Sequence, residues 1–545
     1  MMLYQRYRMQ PNAQPHALVN APVNAQGIVS QCGLVFPVLV LSKLLGDKGY
    51  IALLKKLTIT YIPKVGPPVV AKLYKITNPN GTRMVRLPRA LCDVLGGVAA
   101  IEAVFPEHKL GFLPRLQLDL FPNQTLCVEA LMRIYSEERQ LRGTACAELV
   151  LRAGMGKTFV AAGLIARLGL RTLYIVPKDV LMKQACDDLR GCFESNDRVD
   201  AALRPLVIGP FGRLRKADPR TIVETQDVTV ILIHSALLQT EEFFAKYSFV
   251  ICDEVHTLCS KEWRKIFEKC HARVMLGMTA TPNQRGDKMD PIAQKEFVCA
   301  RDGIVDAEKL PGYVHDDVNF KSRVTVLRYC GPPQYTQTLR HAATDGIFCG
   351  YMHRQFLSDP YRLFIAVQAV KALYEWRGSR GQQHCIYVFC EELELLQILF
   401  RAFRDTFGDD IRAPEIGNEV GNFVGGIKEE AVDNIKDNAR ILLTTYGYGG
   451  TGVSILKMTA IVKLTPRRAN MLQIDARILR RGGDESIERR IVDIHDYKSC
   501  LRGQLSSRMQ SYEHYGMEVE IKKVKWEDIA AMGVGADAVA EDDEL

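Results

Sequence analysis

Two stretches of this chain alternate short apolar runs with segments of helical period, and no other feature limits its fold as tightly. The first spans about 119–300, with runs at Ala147–Leu151, Thr172–Val176, Val228–Ile233, Phe249–Cys252 and Val274–Gly277. The second spans about 346–500, with runs at Cys385–Phe389, Ile441–Thr444, Ala460–Leu464 and Arg490–Ile494. Strands that are apolar throughout are buried on both faces, and strand–helix alternation builds a parallel sheet covered by helices. The pattern therefore predicts an α/β chain with two tandem parallel-sheet lobes. Ligands of such sheets bind beyond the carboxyl ends of the strands, so the residues after each run matter most.

The remaining segments are shorter. Residues 1–30 are rich in Gln, Asn, Pro and Ala and are expected to be flexible. Residues 31–118 mix apolar runs with turns, among them the strand-like Leu57–Tyr61 and the turn Asn78-Pro79-Asn80-Gly81, and are expected to form a small α+β accessory domain. Residues 301–345 read as a connecting region, and 501–545 as a tail with an acidic end.

Composition excludes several classes. Apolar content of 47% and charged content of 25% are those of a globular chain, not a disordered one. The apolar stretch Gly33–Leu41 is too short to span a bilayer, and Met1–Pro15 lacks a signal-peptide core. No membrane association is expected. The fifteen cysteines include no C-x-x-C pair, which points to reduced core thiols and an intracellular, reducing compartment. Net charge is +8, although Glu527–Leu545 holds seven acids and no Lys or Arg, so the body of the chain is more basic still. That balance suits a polyanionic partner, and equally a solvated surface.

The chemistry sits at the strand ends. After the first run come Ala153-Gly154-Met155-Gly156-Lys157-Thr158 and an apolar helix. Glycines let backbone N–H groups close on phosphate oxygens, and the helix N-terminus adds positive potential. Lys157 can reach the β- and γ-phosphates of ATP, and the Thr158 hydroxyl can ligate Mg²⁺. The general pattern asks for glycine where this chain has Leu151. After the fourth run come Asp253 and Glu254, an acid pair able to hold Mg²⁺ and to deprotonate an attacking water. Thr279 and Thr281 follow the fifth run and can relay phosphate state. In the second stretch Gln473, Arg477 and Arg480 are spaced to share one helix face, with Met471, Ile474 and Ile478 turned into the lobe. Arginines so presented can neutralise charge on a transferring phosphoryl group; the alternative is a solvated basic stripe. Thr444–Val453, with four glycines in six positions, reads as a mobile loop.

In this order the residues resemble the motif set of superfamily 2 DExH-box helicases. Leu120-Phe121-Pro122-Asn123-Gln124 looks like the segment whose Gln contacts adenine, and Gly154–Thr158 matches the first motif. Tyr174–Lys178 and Ile233-His234-Ser235 are similar to strand-end contacts with nucleic acid. Asp253-Glu254-Val255-His256 is similar to the DExH box, Thr279-Ala280-Thr281 to the third motif and Tyr387-Val388-Phe389 to the fourth. Thr444–Val453 resembles the fifth motif and Gln473–Arg480 the sixth, with Ala476 in place of Gly. The accessory domain with Val85–Arg89 resembles the layout of poxvirus-type transcript-release DNA helicases of large cytoplasmic DNA viruses.

The resemblance implies RecA-like lobes, the first binding ATP, with the active site in the cleft between them. It implies catalytic roles for Lys157, Asp253, Glu254, Gln473, Arg477 and Arg480, ATP binding by Gln124 and Ala153–Thr158, and Mg²⁺ on Thr158 and Asp253. Nucleic-acid contacts fall to Pro177, Lys178, His234, Ser235, Thr444 and Thr445, and coupling to His256, Thr279, Thr281 and Gly452. The expected activity is that of an ATP-dependent DNA helicase or translocase in viral transcription or DNA metabolism. An RNA helicase or a binding module with a decayed ATPase are the alternatives. Expected partners are nucleic acid and transcription or replication proteins, with a monomer as the working state and host cytoplasm or virion as the location.

Overall fold

A computed structural model describes residues 26–534 apart from 31–32, 64–66, 98, 106, 194–204, 212–224, 284, 286, 300, 315–319, 341–346, 348, 408–419, 426–428, 451–454 and 481. The chain divides into two compact units, 1–315 and 316–545. The first unit opens with strands β1 (Gly27–Ser30), β2 (Gly33–Pro37), β3 (Thr58–Tyr61), β4 (Val69–Lys72), β5 (Lys75–Thr77), β6 (Met84–Leu87) and β7 (Ile101–Val104). Five of them form a mixed sheet in the order β5-β6-β2-β1-β7, and β3 and β4 form an antiparallel pair. The turn expected at Asn78–Gly81 joins β5 to β6, with Asn80 at φ +51°. Residues 27–30 were expected to be flexible, yet β1 pairs on both sides, with β2 and β7.

The first lobe follows as β8 (Cys146–Val150), β9 (Thr172–Val176), β10 (Ile208–Pro210), β11 (Val228–Leu232), β12 (Phe249–Cys252), β13 (Val274–Thr279) and β14 (Ile304–Asp306). They form one parallel sheet in the order β10-β11-β9-β12-β13-β8-β14. The second unit holds β15 (Ser322–Cys330), β16 (Ile386–Cys390), β17 (Val420–Asn422), β18 (Ile441–Thr445), β19 (Ala460–Lys463), β20 (Arg489–Asp496) and β21 (Glu518–Lys525). These too are all parallel, in the order β17-β18-β16-β19-β20-β15-β21. The central strands are buried along their whole length, as unbroken apolar runs require.

The boundaries at 301–345 and 501–545 need correction. The supposed connector contains β14 and β15, and the supposed tail contains the helix Leu505–His514 and β21. Both longer strands escape a search for apolar runs. In β15 polar and apolar residues alternate, and β21 is an edge strand whose charged residues face outward.

The N-terminal domain shares its core with the first lobe. Val29, Phe36 and Val85 belong to one apolar cluster with Cys146, Phe244, Ile292 and Phe297. Arg89 is fully buried where the two meet. Its Nε donates to Gly143 O at 2.5 Å, Nη2 to Arg273 O at 2.6 Å and Nη1 to Ala272 O. The guanidinium also lies over the Phe105 ring at 4.4 Å. A buried cation is tolerable only with such a full set of acceptors. Removing it strands three carbonyls, so Arg89→Met should destabilise the first unit by about 3 kcal/mol. Exposed Lys43→Met should change stability by less than about 0.5 kcal/mol in the same denaturant titration.

Candidate active site

Three neighbouring strand ends, those of β8, β13 and β12, bring the first unit's chemical groups together. The loop after β8 turns twice through left-handed glycines, Gly154 at φ +85° and Gly156 at φ +82°, before the helix Lys157–Leu168 begins. A Cβ on Gly156 would also collide with Gln124 Nε2. Gln124 is buried and braces the loop. Its Nε2 donates to Met155 O at 3.1 Å, and its Oε1 accepts from Phe121 N at 3.1 Å. Leu151, the departure from the usual glycine, is buried in the lobe core, and its N–H donates to Thr279 O at 3.0 Å. The first turn of the loop is thereby tied to the end of β13.

Lys157 Nζ lies 2.9 Å from Glu254 Oε1, with both side chains largely enclosed. Asp253 stands at the end of β12, 8% exposed, and its N–H donates to Ile175 O at 2.9 Å. Burial pushes its carboxyl up to about 6; Lys157 opposes that shift and Glu254 adds to it. Glu254 sits at φ +46°, and its N–H donates to Asp253 Oδ1 at 2.9 Å. A non-glycine residue held in the left-handed region is a mark of functional strain. His256 Nδ1 is 2.9 Å from Thr279 Oγ1 and 3.5 Å from Glu254 Oε2, and Thr279 Oγ1 also accepts from Thr281 N at 3.1 Å. The acid pair is thus wired to the end of β13, as a coupling role for His256, Thr279 and Thr281 would need. Burial holds His256 below its usual range, which favours a neutral ring.

Hard oxygen donors from Thr158 and Asp253 and left-handed glycines opening a helix N-terminus fit a magnesium–phosphate ligand. Pro177 and Lys178 lie at the end of β9, and His234 and Ser235 just after β11, all half-buried or exposed on the same sheet edge. The His234 ring meets Trp263 edge-on at 5.2 Å.

In the second unit Gln473 and Arg477 are buried, at 6% and 4% exposure, which rules out a solvated stripe there. The shared helix face does not hold for all three residues. The helix ends at Asp475, a 3-10 turn covers Ala476–Ile478, and Arg480 lies beyond it. Ala476 has φ −59°, a conformation that needs no glycine. Met471, Ile474 and Ile478 are buried as expected. Arg477 and Arg480 both act electrostatically on the buried Tyr387 of β16.

Sequence reasoning missed what holds this segment. Asp475 Oδ1 pairs with Lys463 Nζ at 2.6 Å, both fully buried, and Asp475 Oδ2 accepts from Ser511 Oγ at 2.7 Å. The available signal was a lysine closing the apolar run Ala460–Lys463. Thr444 is fully buried, so its side chain offers no surface to a phosphodiester. Thr445 is half-buried and accepts from Tyr448 N at 3.2 Å, capping a short helix, Tyr446–Gly449, where a loop was expected. Gly452 lies outside the described residues.

A parallel sheet with a phosphate loop and an acid pair at strand ends one strand apart, followed by a second parallel sheet, is the architecture of a nucleic-acid-dependent ATPase. The family model ResIII, the res subunit of type III restriction enzymes, matches residues 117–284. The African swine fever virus (isolate Pig/Kenya/KEN-50/1950) protein QP509L, whose name describes an ATP-dependent RNA helicase, is 31% identical over 378 residues, 68% of this chain and 69% of that protein. The ATP-dependent DNA helicase RecG of Bacillus subtilis (strain 168) is 33% identical over 135 residues, 24% of this chain and 19% of RecG. Among solved structures, Mss116p (NTE and C-tail double deletion) bound to ssRNA and AMP-PNP is similar in fold at TM-score 0.50 and 13% identity, covering 81% of this chain and 85% of that one. The chain belongs to the superfamily 2 helicases of large DNA viruses. No helix among the described residues is long and apolar enough to cross a membrane.

Two outcomes follow from the site. Gly156→Ala should weaken binding of a fluorescent ATP analogue at least about tenfold, because the new methyl meets both the strained φ and Gln124. The raised pKa of Asp253 sets the other. A carboxyl whose folded value lies above its unfolded value of about 4 stabilises the fold below that pH, and this is lost as pH rises through about 6. Asp253→Asn should therefore melt higher than the parent at pH 7.5, with the difference vanishing near pH 4 in the same calorimetric scan.

Proposed function

We propose that this protein is an ATP-driven translocase on DNA, serving transcription or DNA metabolism of a large DNA virus. The observation that carries the ATPase part is the Lys157–Glu254 pair at 2.9 Å beside the buried Asp253. In this reading Lys157 transfers its charge to the β- and γ-phosphates, which leaves Glu254 to orient the attacking water and take its proton. The water oxygen bonds to the γ-phosphorus as the bond to the β–γ bridging oxygen breaks. Thr158 and Asp253 would hold Mg²⁺, which supplies charge neutralisation when bound. Gln124 contacts the adenine from its place against the loop, and Ala153–Thr158 cradle the phosphates. Arg477 and Arg480 of the second unit serve the same cycle by supplying positive charge to the transferring group, and Gln473 serves it with a neutral amide. Pro177, Lys178, His234, Ser235 and Thr445 track the strand, with Gly452 in coupling. A decayed ATPase fits poorly with so complete a set of groups.

For DNA speak the restriction-enzyme family model over 117–284 and the likeness to RecG, a DNA helicase by name. For RNA, as a second reading, speaks the name of QP509L. ATPase rates with duplex DNA, single-stranded DNA and RNA decide between them, and stimulation by RNA alone would overturn the DNA reading. Lys157→Ala and Glu254→Gln should each lower the stimulated kcat at least about a hundredfold while leaving the melting profile folded. Full turnover in either purified variant would refute the site assignment.

A further inference from the structure

One stretch of this chain outside the catalytic motifs is strongly basic. Residues 43–83 hold eight Lys or Arg and one acid, a net +7 against +8 for the whole 545-residue chain. Lys43, Lys48, Lys55, Lys56, Lys72, Lys75 and Arg83 are all exposed. They stand on the helix Val38–Lys56, on β4 and β5 and after the β5–β6 turn. The acid, Asp47, accepts a hydrogen bond from Ser42 Oγ at 2.6 Å. Three half-buried tyrosines, Tyr50, Tyr61 and Tyr74, lie among the cations, and Tyr50 feels both Arg83 and Tyr74 electrostatically. A folded domain gains no stability from massing like charges, whereas a polyphosphate strand matches them.

The same elements are fastened to the segments that follow the catalytic motifs. Arg264 Nη1 donates to Lys72 O at 2.9 Å, and Lys75 pairs with Glu268 at 3.5 Å. Lys295 Nζ donates to Lys56 O at 3.3 Å. Trp263–Glu268 comes soon after the acid pair, and Pro291–Phe297 soon after Thr279–Pro282. Arg86 Nη2 donates to Phe267 O at 2.8 Å, fixing the base of the domain to the same segment.

We propose that Lys43, Lys48, Lys55, Lys56, Lys72, Lys75 and Arg83 form a second, nucleotide-independent grip on the phosphate backbone of the nucleic acid that the motor works on. It rests on the nucleic-acid reading above, and it places a holding surface on the lobe that carries the acid pair. Contacts there are to phosphates, so the grip is sequence-tolerant and falls steeply with salt.

The test is the triple variant Lys48→Glu, Lys55→Glu, Lys72→Glu in the full chain. Its control is Arg133→Glu, Arg167→Glu, Lys309→Glu, three exposed cations elsewhere on the first unit. Binding of labelled duplex DNA, single-stranded DNA and RNA of random sequence is read by fluorescence anisotropy without nucleotide, across a salt series. The patch variant should bind at least about tenfold more weakly at low salt, and its log–log salt slope should shrink by about 3 on a duplex. Its ATP KM and its kcat at saturating nucleic acid should stay at the parent values, and thermal melting confirms the fold. Parental affinity and slope in the patch variant, or an equal loss in the control, would overturn the proposal. If the parent ATPase responds to no nucleic acid, the translocase reading fails, while this nucleotide-free measurement still decides the grip.

Discussion

A parallel sheet cannot be built from hairpins, so after every strand the chain must cross back over a face before it can add another. All strand ends of one polarity then gather on a single edge. In the first lobe β12, β13 and β8 are consecutive neighbours, so loops distant in sequence open side by side. Lys157 and Glu254 meet there although 97 residues separate them. The helices that the crossings require also provide the N-terminus under the phosphate loop. Fold and site have the same geometric cause.

That edge is a poor solvent for charge, and its chemistry depends on the fact. Asp253 is kept reluctant to ionise by burial at the end of an apolar strand, with the Lys157 cation as partial compensation. The strained backbone at Glu254 and the tight contacts among His256, Thr279 and Thr281 make the acid pair a rigid assembly. Gln124 and Leu151 both brace the phosphate loop, one by its side chain and one by its backbone. A ligand entering here exchanges internal partners for its own, and the loop has few ways to relax in response.

The N-terminal domain is bound into this arrangement. It shares one apolar core with the first lobe, and Arg86 and Arg89 reach across to lobe carbonyls. Buried arginines with several backbone acceptors fix an orientation that apolar contact alone would leave free to slide. The exposed side of the same domain carries seven exposed cations among the described residues of 43–83. One domain thus shows two surfaces of opposite character, an inner one that locks and an outer one that repels itself.

The sequence by itself determined the two parallel sheets and the strand ends where chemistry sits, because unbroken apolar runs followed by glycine, acid or hydroxyl residues are local signals. It also marked Gly154–Thr158, Asp253 and Glu254, whose roles follow from adjacency along the chain. It misplaced β15 and β21, where alternating or charged strands carry no apolar run. It also drew a continuous helix through Arg480, where the backbone tightens and leaves the helical path. Only the tertiary structure decided that Thr444 is enclosed, that Lys463 and Ser511 clamp Asp475, and that Arg89 is buried between domain and lobe. Those facts depend on pairings across the fold, and burial and pairing energies belong to positions in space that no run of neighbouring residues encodes.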